Sequence, residues 1–197
     1  IINIFFAPNN ANKVAEIKAA VPPYFNIISL KDAGIDIDIP EPHDTLQANA
    51  QEKAVTIFNL TGSGCFSEDT GLEVEALNGA PGVHSARYAG EDKAFDKNID
   101  KLLVELERHQ NRVAQFRTVI CLKMADGKEH YFEGICKGTI INERKGSEGF
   151  GYDPVFIPEG GTQTFAQMSL EEKARYSHRR KAVDGLVAFL NGLPLHK

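Results

Sequence analysis

Residues 1–29, IINIFFAPNNANKVAEIKAAVPPYFNIIS, contain the pattern that decides the fold. The apolar run Ile1–Ala7 is typical of a buried strand, and a proline and two asparagines interrupt it. The next stretch has apolar residues at helical spacing and ends at a pair of prolines, and Asn26–Ser29 then predicts a second strand. A strand, a polar turn, a helix and a strand in this order predict the opening of an α/β fold.

The same patterns predict the elements further along the chain. Thr45 can cap a helix that runs to about Leu60, and Cys65–Ser67 predicts a very short strand that delivers Glu68 and Asp69 at its carboxyl end. Later segments predict a helix over residues 99–106, a long hairpin from 113–124 and 129–142, a short helix after the Ser169 capping box and a last helix from about Ser177. We therefore expect one α/β domain over residues 1–197 with a mixed twisted sheet, a long β-hairpin, flanking helices and two lobes.

Composition limits the classes of partner and location. The net charge of −5 and the lack of a basic face argue against binding to a nucleic-acid polymer. No apolar run approaches the ~20 residues of a membrane helix, and no leader segment is recognisable, so we expect no membrane contact and a cytoplasmic location. The three cysteines, Cys65, Cys121 and Cys136, form no Cys-x-x-Cys pair and are expected to be core residues in a reducing compartment.

The turn after the first strand contains Asn10 and Lys13 at the start of a helix. The amino terminus of a helix offers free N–H groups and positive partial charge, which suit a phosphate. A lysine in the first turn is locally unfavourable unless an anion lies there. The alternative is that the asparagine only caps the helix and Lys13 is a solvated surface charge.

Two adjacent acids, Glu68 and Asp69, follow the short strand. Like charges side by side raise each other's pKa unless a cation neutralises them. Carboxylates without nearby histidine or cysteine favour Mg²⁺, and Glu41 can complete such a site. The alternative is a solvated acidic loop.

Aromatic and cationic segments follow later in the chain. Phe150–Asp153 combines two aromatic rings, a glycine and a carboxylate, a set that can stack on a base and bind its edge. Lys173 and the segment Ser177–Lys181 place several cations near one helix start, which favours an anionic partner. The alternative for the aromatic segment is a hydrophobic turn that packs on the core.

Five segments in this order resemble the inosine/xanthosine triphosphate pyrophosphatase family, the Ham1-like non-canonical purine NTP pyrophosphatases. They are Asn10–Lys13, Ser67–Leu72 (SEDTGL), Gly79–Tyr88 (GAPGVHSARY), Phe150–Pro154 (FGYDP) and Lys173 with Ser177–Arg179 (SHR). The resemblance covers nearly the whole chain, and although each segment alone is weakly specific, the five together are highly specific.

The resemblance implies hydrolysis of dITP, ITP and XTP to the monophosphate and pyrophosphate, which cleanses the nucleotide pool. It implies Mg²⁺ as cofactor, an elongated fold with the site in a cleft, and a homodimer. Its metal ligands are Glu41, Asp69 and Glu68, with Asp69 also activating the attacking water. Its substrate-binding set is Asn10, Lys13, Thr70, Phe150, Gly151, Tyr152, Asp153, Lys173, His178 and Arg179.

Within that set the resemblance implies distinct roles. Asn10 and Lys13 hold the phosphate tail and Phe150 stacks on the purine. The base and its neighbouring groups are held or read by Asp153, Lys173, His178 and Arg179.

The chain departs from the family pattern at three places. Pro8 and Asn9 stand where Thr-Gly is usual, Glu68 replaces a common Asp, and Ala48 stands where Glu is frequent. Two rival functions remain: a Maf-type nucleotide pyrophosphatase with other base preferences, and a nucleotide-binding regulatory module without catalysis. The Gly79–Tyr88 run argues against the first, and the presence of all three acids argues against the second.

Overall fold

The structure is a computed structural model, and it describes residues 2–7 and 10–192. Within these residues the strands are β1 (Ile2–Phe6), β2 (Phe25–Ser29), β3 (Cys65–Val74), β4 (Pro81–Gly82), β5 (Val113–Lys123), β6 (Glu129–Ile140) and β7 (Phe156–Pro158). The α-helices are α1 (Ala11–Ala20), α2 (Leu46–Thr61), α3 (Phe95–Leu106), α4 (Leu170–Ala174) and α5 (His178–Asn191). None of the helices in the described part of the chain is long and apolar enough to cross a membrane.

The strands form a mixed sheet. Their order is β2-β1-β3-β5-β6-β7, and β4 pairs with β3. β1 runs parallel to β2 and β3, whereas β4 and β7 are antiparallel to their neighbours β3 and β6. The prediction of an α/β fold with a mixed sheet, a long hairpin and flanking helices is confirmed.

Local chemistry explains where the first helices begin and end. The side chain of Asn10 accepts hydrogen bonds at the amino terminus of α1, including one of 3.2 Å from the Lys13 backbone N–H. Thr45 caps α2 in the same way through the backbone N–H of Ala48. α2 ends at Gly62, whose φ of 66° lies in the left-handed region that favours glycine. Both predicted helices are therefore confirmed.

The chain divides into two compact units, and the first comprises residues up to Asp69, Thr118–Gly134 and the chain from Arg179 on. In this unit side chains from α1 and α5 share one apolar cluster with Phe66 of β3. Side chains from α2 share another cluster with Cys65, the preceding residue of the same strand. Because successive strand residues point to opposite faces, α1 and α5 cover one face of β3 and α2 covers the other.

The second unit comprises Thr70–Arg117 and Ile135–His178. Its core is built on aromatic and aliphatic side chains from α3, β5, β7 and the intervening turns. The Gly79–Tyr88 run contains β4 and a 3₁₀ turn at Ser85–Arg87. Ser85 ties this run to β3, because its hydroxyl accepts from the backbone N–H of Leu72 at 2.9 Å.

The three cysteines are buried thiols. Burial raises the pKa of Cys65 to about 12 and that of Cys121 to about 11. The prediction that they are core residues is confirmed.

We predict that Gly71→Ala destabilises the protein. A Cβ at Gly71 would lie 2.5 Å from the carbonyl oxygen of Gly82, which accepts a hydrogen bond from the Ser85 hydroxyl. Backbone must move to admit the methyl group, and such overpacking costs about 1–3 kcal/mol of unfolding free energy. Urea denaturation measures the loss. Gly64→Ala is the matched control, since its Cβ would meet no atom closer than 3.6 Å; an equal loss in both variants would contradict the contact argument.

Candidate active site

Two carboxylates are buried in the middle of β3. Glu68 is fully buried and Asp69 is 3% exposed. The prediction that a very short strand ends just before them is wrong, because β3 continues to Val74. Three cations in the first unit surround the acids. Their positive charge offsets the cost of burying ionisable groups within the strand.

The two acids point to opposite faces of the strand and meet different cations. Glu68 faces α1 and α5: its Oε1 lies 2.8 Å from Lys13 Nζ and its Oε2 lies 3.6 Å from Nη2 of Arg179. Asp69 faces α2, where its Oδ1 lies 3.8 Å from Lys53 Nζ. Because side chains alternate between the two faces of a strand, these two adjacent acids lie in different electrostatic environments.

The pKa values of the acids move in opposite directions. Burial alone would raise the pKa of Glu68, but Lys13, Arg179 and Lys53 outweigh it and hold that pKa well below its usual range. Burial raises the pKa of Asp69 to about 6, with Glu41 and Glu68 adding to the rise and Lys53 and Lys13 opposing it. Glu68 is thus held as a carboxylate, and Asp69 is the more basic of the pair.

Lys53 connects the acids, and the sequence patterns did not identify it. It is 4% exposed, and its ammonium lies 3.0 Å from Glu41 Oε1 and donates to the backbone carbonyl of Glu68 at 3.0 Å. Burial would lower the pKa of Lys53, but Asp69, Glu41 and Glu68 outweigh it and raise that pKa. A usable signal exists in the sequence, since Lys53 shares the inward face of α2 with Ala50 and Ala54.

Glu41 interacts with the Asp69 side chain as well as with Lys53. Burial would raise the pKa of Glu41, but Lys53 and Lys13 outweigh it and lower that pKa. Two carboxyl groups that interact in this way can share a cation between them.

The donors suit a hard divalent cation. Among the described residues no group of three or more His, Cys, Asp or Glu side chains is arranged as a ready-made metal cage. Mg²⁺ in proteins is commonly held by one or two carboxylates, with waters and substrate phosphates as the remaining ligands. Glu41 and Asp69 fit that requirement, whereas Glu68 is engaged by Lys13 and Arg179.

The predicted phosphate segment lies at the same acid cluster. Asn10 caps α1, as the simpler interpretation held, but Lys13 is not a solvated charge, because it pairs with Glu68 and its side chain is 17% exposed. Pro8 and Asn9 lie outside the described residues. The lysine is therefore held in the first turn of the helix by an anion of the protein itself.

The second unit assembles most of the predicted base-binding residues. Asp153 accepts hydrogen bonds from the Phe150 backbone N–H at 3.1 Å and from Lys173 Nζ at 2.7 Å. The Lys173 ammonium lies 5.2 Å from the centre of the Phe150 ring and 5.1 Å from that of Phe165. Gly149 has a φ of 71°, and a Cβ there would lie 2.2 Å from a carboxylate oxygen of Asp153. The buried ion pair thus sets the shape of the turn.

Tyr152 and His178, two further residues of the predicted substrate-binding set, contact other parts of the protein. The Tyr152 hydroxyl donates to the Ser85 carbonyl at 2.6 Å, and the His178 ring stacks on Phe116 at 4.7 Å between centres. Thr70 lies half-buried in β3, and Gly151 is left-handed with a φ of 60°.

Arg179 lies apart from most of the predicted base-binding residues, which belong to the second unit. It is 2% exposed and belongs to the first unit, where its guanidinium pairs with Glu16 and Glu68. The expectation that Arg179 reads the base stays a prediction, and its contacts favour a role at the acid cluster.

Comparisons with known proteins agree with the resemblance in the sequence motifs. The model of the Ham1 family matches residues 4–189. The dITP/XTP pyrophosphatase of Flavobacterium psychrophilum is 53% identical over 188 residues, which cover 95% of this chain and 98% of the relative. The dITP/XTP pyrophosphatase of Porphyromonas gingivalis is 52% identical over 95% of this chain and 96% of its own length.

Solved structures show the same fold. The Staphylococcus aureus Ham1 protein superimposes with a TM-score of 0.86 at 39% identity, covering 96% of this chain and 98% of that one. A HAM1 protein from Coxiella burnetii gives a TM-score of 0.87 at 33% identity, covering 98% and 100%.

We predict that Mg²⁺ stabilises the protein through Glu41 and Asp69. A ligand at tenfold excess over its Kd adds about 1.4 kcal/mol to the unfolding free energy, which corresponds to a rise of roughly 3–6 °C in Tm. Scanning fluorimetry with and without Mg²⁺ measures this rise for each variant against its own metal-free Tm. Glu41→Gln and Asp69→Asn should lose it, and Asp44→Asn, an exposed acid in the same loop, should keep it. A full rise in Asp69→Asn would exclude the assignment.

Proposed function

This chain belongs to the Ham1 family, and from that membership we propose that it hydrolyses non-canonical purine nucleoside triphosphates. The substrates are dITP, ITP and XTP, and the products are the nucleoside monophosphate and pyrophosphate. The names of the near full-length relatives support this assignment. The observation within the molecule that carries it is the cluster of Glu41, Lys53 and Asp69, in which a half-buried and a buried carboxyl group lie around a buried lysine.

The reaction requires water to attack the α-phosphorus and pyrophosphate to leave. A bond forms from the water oxygen to phosphorus, the bond from phosphorus to the bridging oxygen breaks, and a proton of the water passes to a base. Asp69 is the proposed base, because burial and its acidic neighbours make it the most basic carboxylate of the cluster.

Lys13 and a metal ion held by Glu41 and Asp69 would supply the charge stabilisation. Mg²⁺ bound to Glu41 and Asp69 would act as a Lewis acid on the phosphate oxygens. Lys13 and Asn10 are proposed to hold the phosphate tail, and Lys53 keeps Glu41 and Asp69 oriented towards each other. Glu68, held ionised, keeps Lys13 in place at 2.8 Å. Negative charge that builds on the pyrophosphate oxygens is thereby met by fixed cations.

The second unit supplies the proposed base-binding residues. Phe150 offers an aromatic face for the purine, and Lys173, fixed by Asp153, offers N–H donors. A 6-keto oxygen can accept from such donors, whereas a 6-amino group would leave them unpaired. His178 supports this region through its packing on Phe116. We also propose that the functional molecule is a homodimer.

We predict a strong substrate preference in a pyrophosphate-release assay with Mg²⁺. Turnover of dITP and XTP should exceed that of dATP by at least ~100-fold in kcat/KM, because the 6-amino base leaves buried donors unpaired. dGTP tests the added 2-amino group in the same assay. Equal turnover of all four nucleotides, or none, would contradict the proposal, and a preference for a different base would favour the Maf-type alternative.

We predict that Asp69→Asn lowers kcat on dITP by at least ~100-fold, since it removes both the proposed base and a metal ligand. Asp38→Asn, an exposed acid of the same unit, serves as the control and should retain full activity. Near-normal kcat in Asp69→Asn would show that the base lies elsewhere.

A further inference from the structure

Arg179 is an arginine sealed inside the first unit between two carboxylates. Nη1 hydrogen-bonds to Glu16 Oε2, and Nη2 lies 3.6 Å from Glu68 Oε2. Its side chain is 2% exposed, and it is the largest fully buried side chain in the described part of the chain. Arginine suits this place because its planar guanidinium can present different N–H groups to two acids at once.

Glu16 is the other end of this contact. It lies on α1, one helical turn after Lys13, and is 8% exposed. A buried carboxylate is costly unless it is paired, so Glu16 in this position requires a cation such as Arg179. Lys13, Glu16 and Ile17 lie on the same inward-facing side of α1. Apolar residues are usual at such positions, and two of these three are charged.

These contacts form one continuous chain of charges from Glu16 to Lys13. Glu16 pairs with Arg179, Arg179 with Glu68, and Glu68 with Lys13. Arg179 hydrogen-bonds to Glu16 and lies 3.6 Å from Glu68, so its positive charge is divided between the two carboxylates. Loss of Glu16 would therefore shift the guanidinium towards Glu68 and weaken the hold of that carboxylate on Lys13.

We propose that Glu16 is a positioning residue of the active site, which acts through Arg179 on Glu68 and so fixes the place of Lys13. This inference rests on the proposed function, because Lys13 is the proposed phosphate contact. Glu16 itself touches no substrate. Its removal misplaces a phosphate-binding cation, and so weakens binding and transition-state stabilisation together.

A double-mutant cycle with Glu16→Gln and Arg179→Met tests the proposal. Glu16→Gln alone should lower kcat/KM on dITP by about 10-fold, a loss typical of a misplaced charge-stabilising group. The double variant should be no worse than Arg179→Met alone, because the misdirected guanidinium is then absent. If the two losses multiply, Glu16 does not act through Arg179 and the proposal fails.

A second readout separates this proposal from the proposed function. Calorimetric titration of inorganic pyrophosphate in the presence of Mg²⁺ reports the phosphate grip without hydrolysis. Its Kd should rise about 10-fold in Glu16→Gln and show the same non-additivity in the double variant. If the wild type binds pyrophosphate and the variants change its Kd as expected, but no nucleotide is hydrolysed, the proposed function fails and the positioning role stands.

Controls exclude a purely structural role for Glu16. Asp184→Asn removes the same kind of charge from the exposed Arg180–Asp184 pair on α5 and should leave both readouts unchanged. Glu16→Asp keeps the charge on a shorter arm and should recover part of the lost kcat/KM, and it replaces Glu16→Gln in the cycle if that variant does not fold. A lowered Tm with unchanged kcat/KM and pyrophosphate Kd per folded molecule would overturn the proposal.

Discussion

The burial of Glu68 and Asp69 within β3 is the constraint on which the first unit depends. A carboxylate in such a place is stable only beside a cation, and each of the three helices around β3 supplies one: Lys13 from α1, Lys53 from α2 and Arg179 from α5. Removal of one partner from a buried ion pair costs about 3–5 kcal/mol. The helices are therefore held on the strand by charge as well as by apolar contact.

The same constraint separates the chemistry of two adjacent acids. Glu68 meets two cations on one face and stays ionised, whereas Asp69 meets Glu41 and a shared lysine on the other and has a raised pKa. No difference between the two side chains alone explains this. The strand geometry produces one acid suited to holding cations in place and one suited to taking a proton.

Much of the fold was predictable because its signals are local. The cap at Thr45, the break at Gly62 and the Asp126–Gly127 hairpin turn depend on residues close in sequence, and the structure has each of them. The five motifs also predicted the family, which the family match confirms. β3 was predicted too short because adjacent acids are unfavourable in a strand unless distant cations neutralise them.

Buried charged residues explain the other parts of the site that were not predicted from the sequence. Lys53 and Glu16 lie on the inward faces of their helices, yet a charged residue in a helix is normally assigned to solvent. Arg179 was grouped with the base-binding residues by its place in the motif, whereas its contacts with Glu16 and Glu68 depend on tertiary packing. Partners that are 163 residues apart in sequence, such as Glu16 and Arg179, leave no local pattern.

The alternation along β3 also determines which changes in chain length the protein can accept. Insertion or deletion of one residue between Cys65 and Glu68 would exchange the faces of the two acids and place each beside the wrong helix. The close approach of Gly71 to Gly82 fixes the strand from its other end. This stretch can thus diverge by substitution but not by insertion or deletion, and length variation is better absorbed at the hairpin turn of residues 125–128.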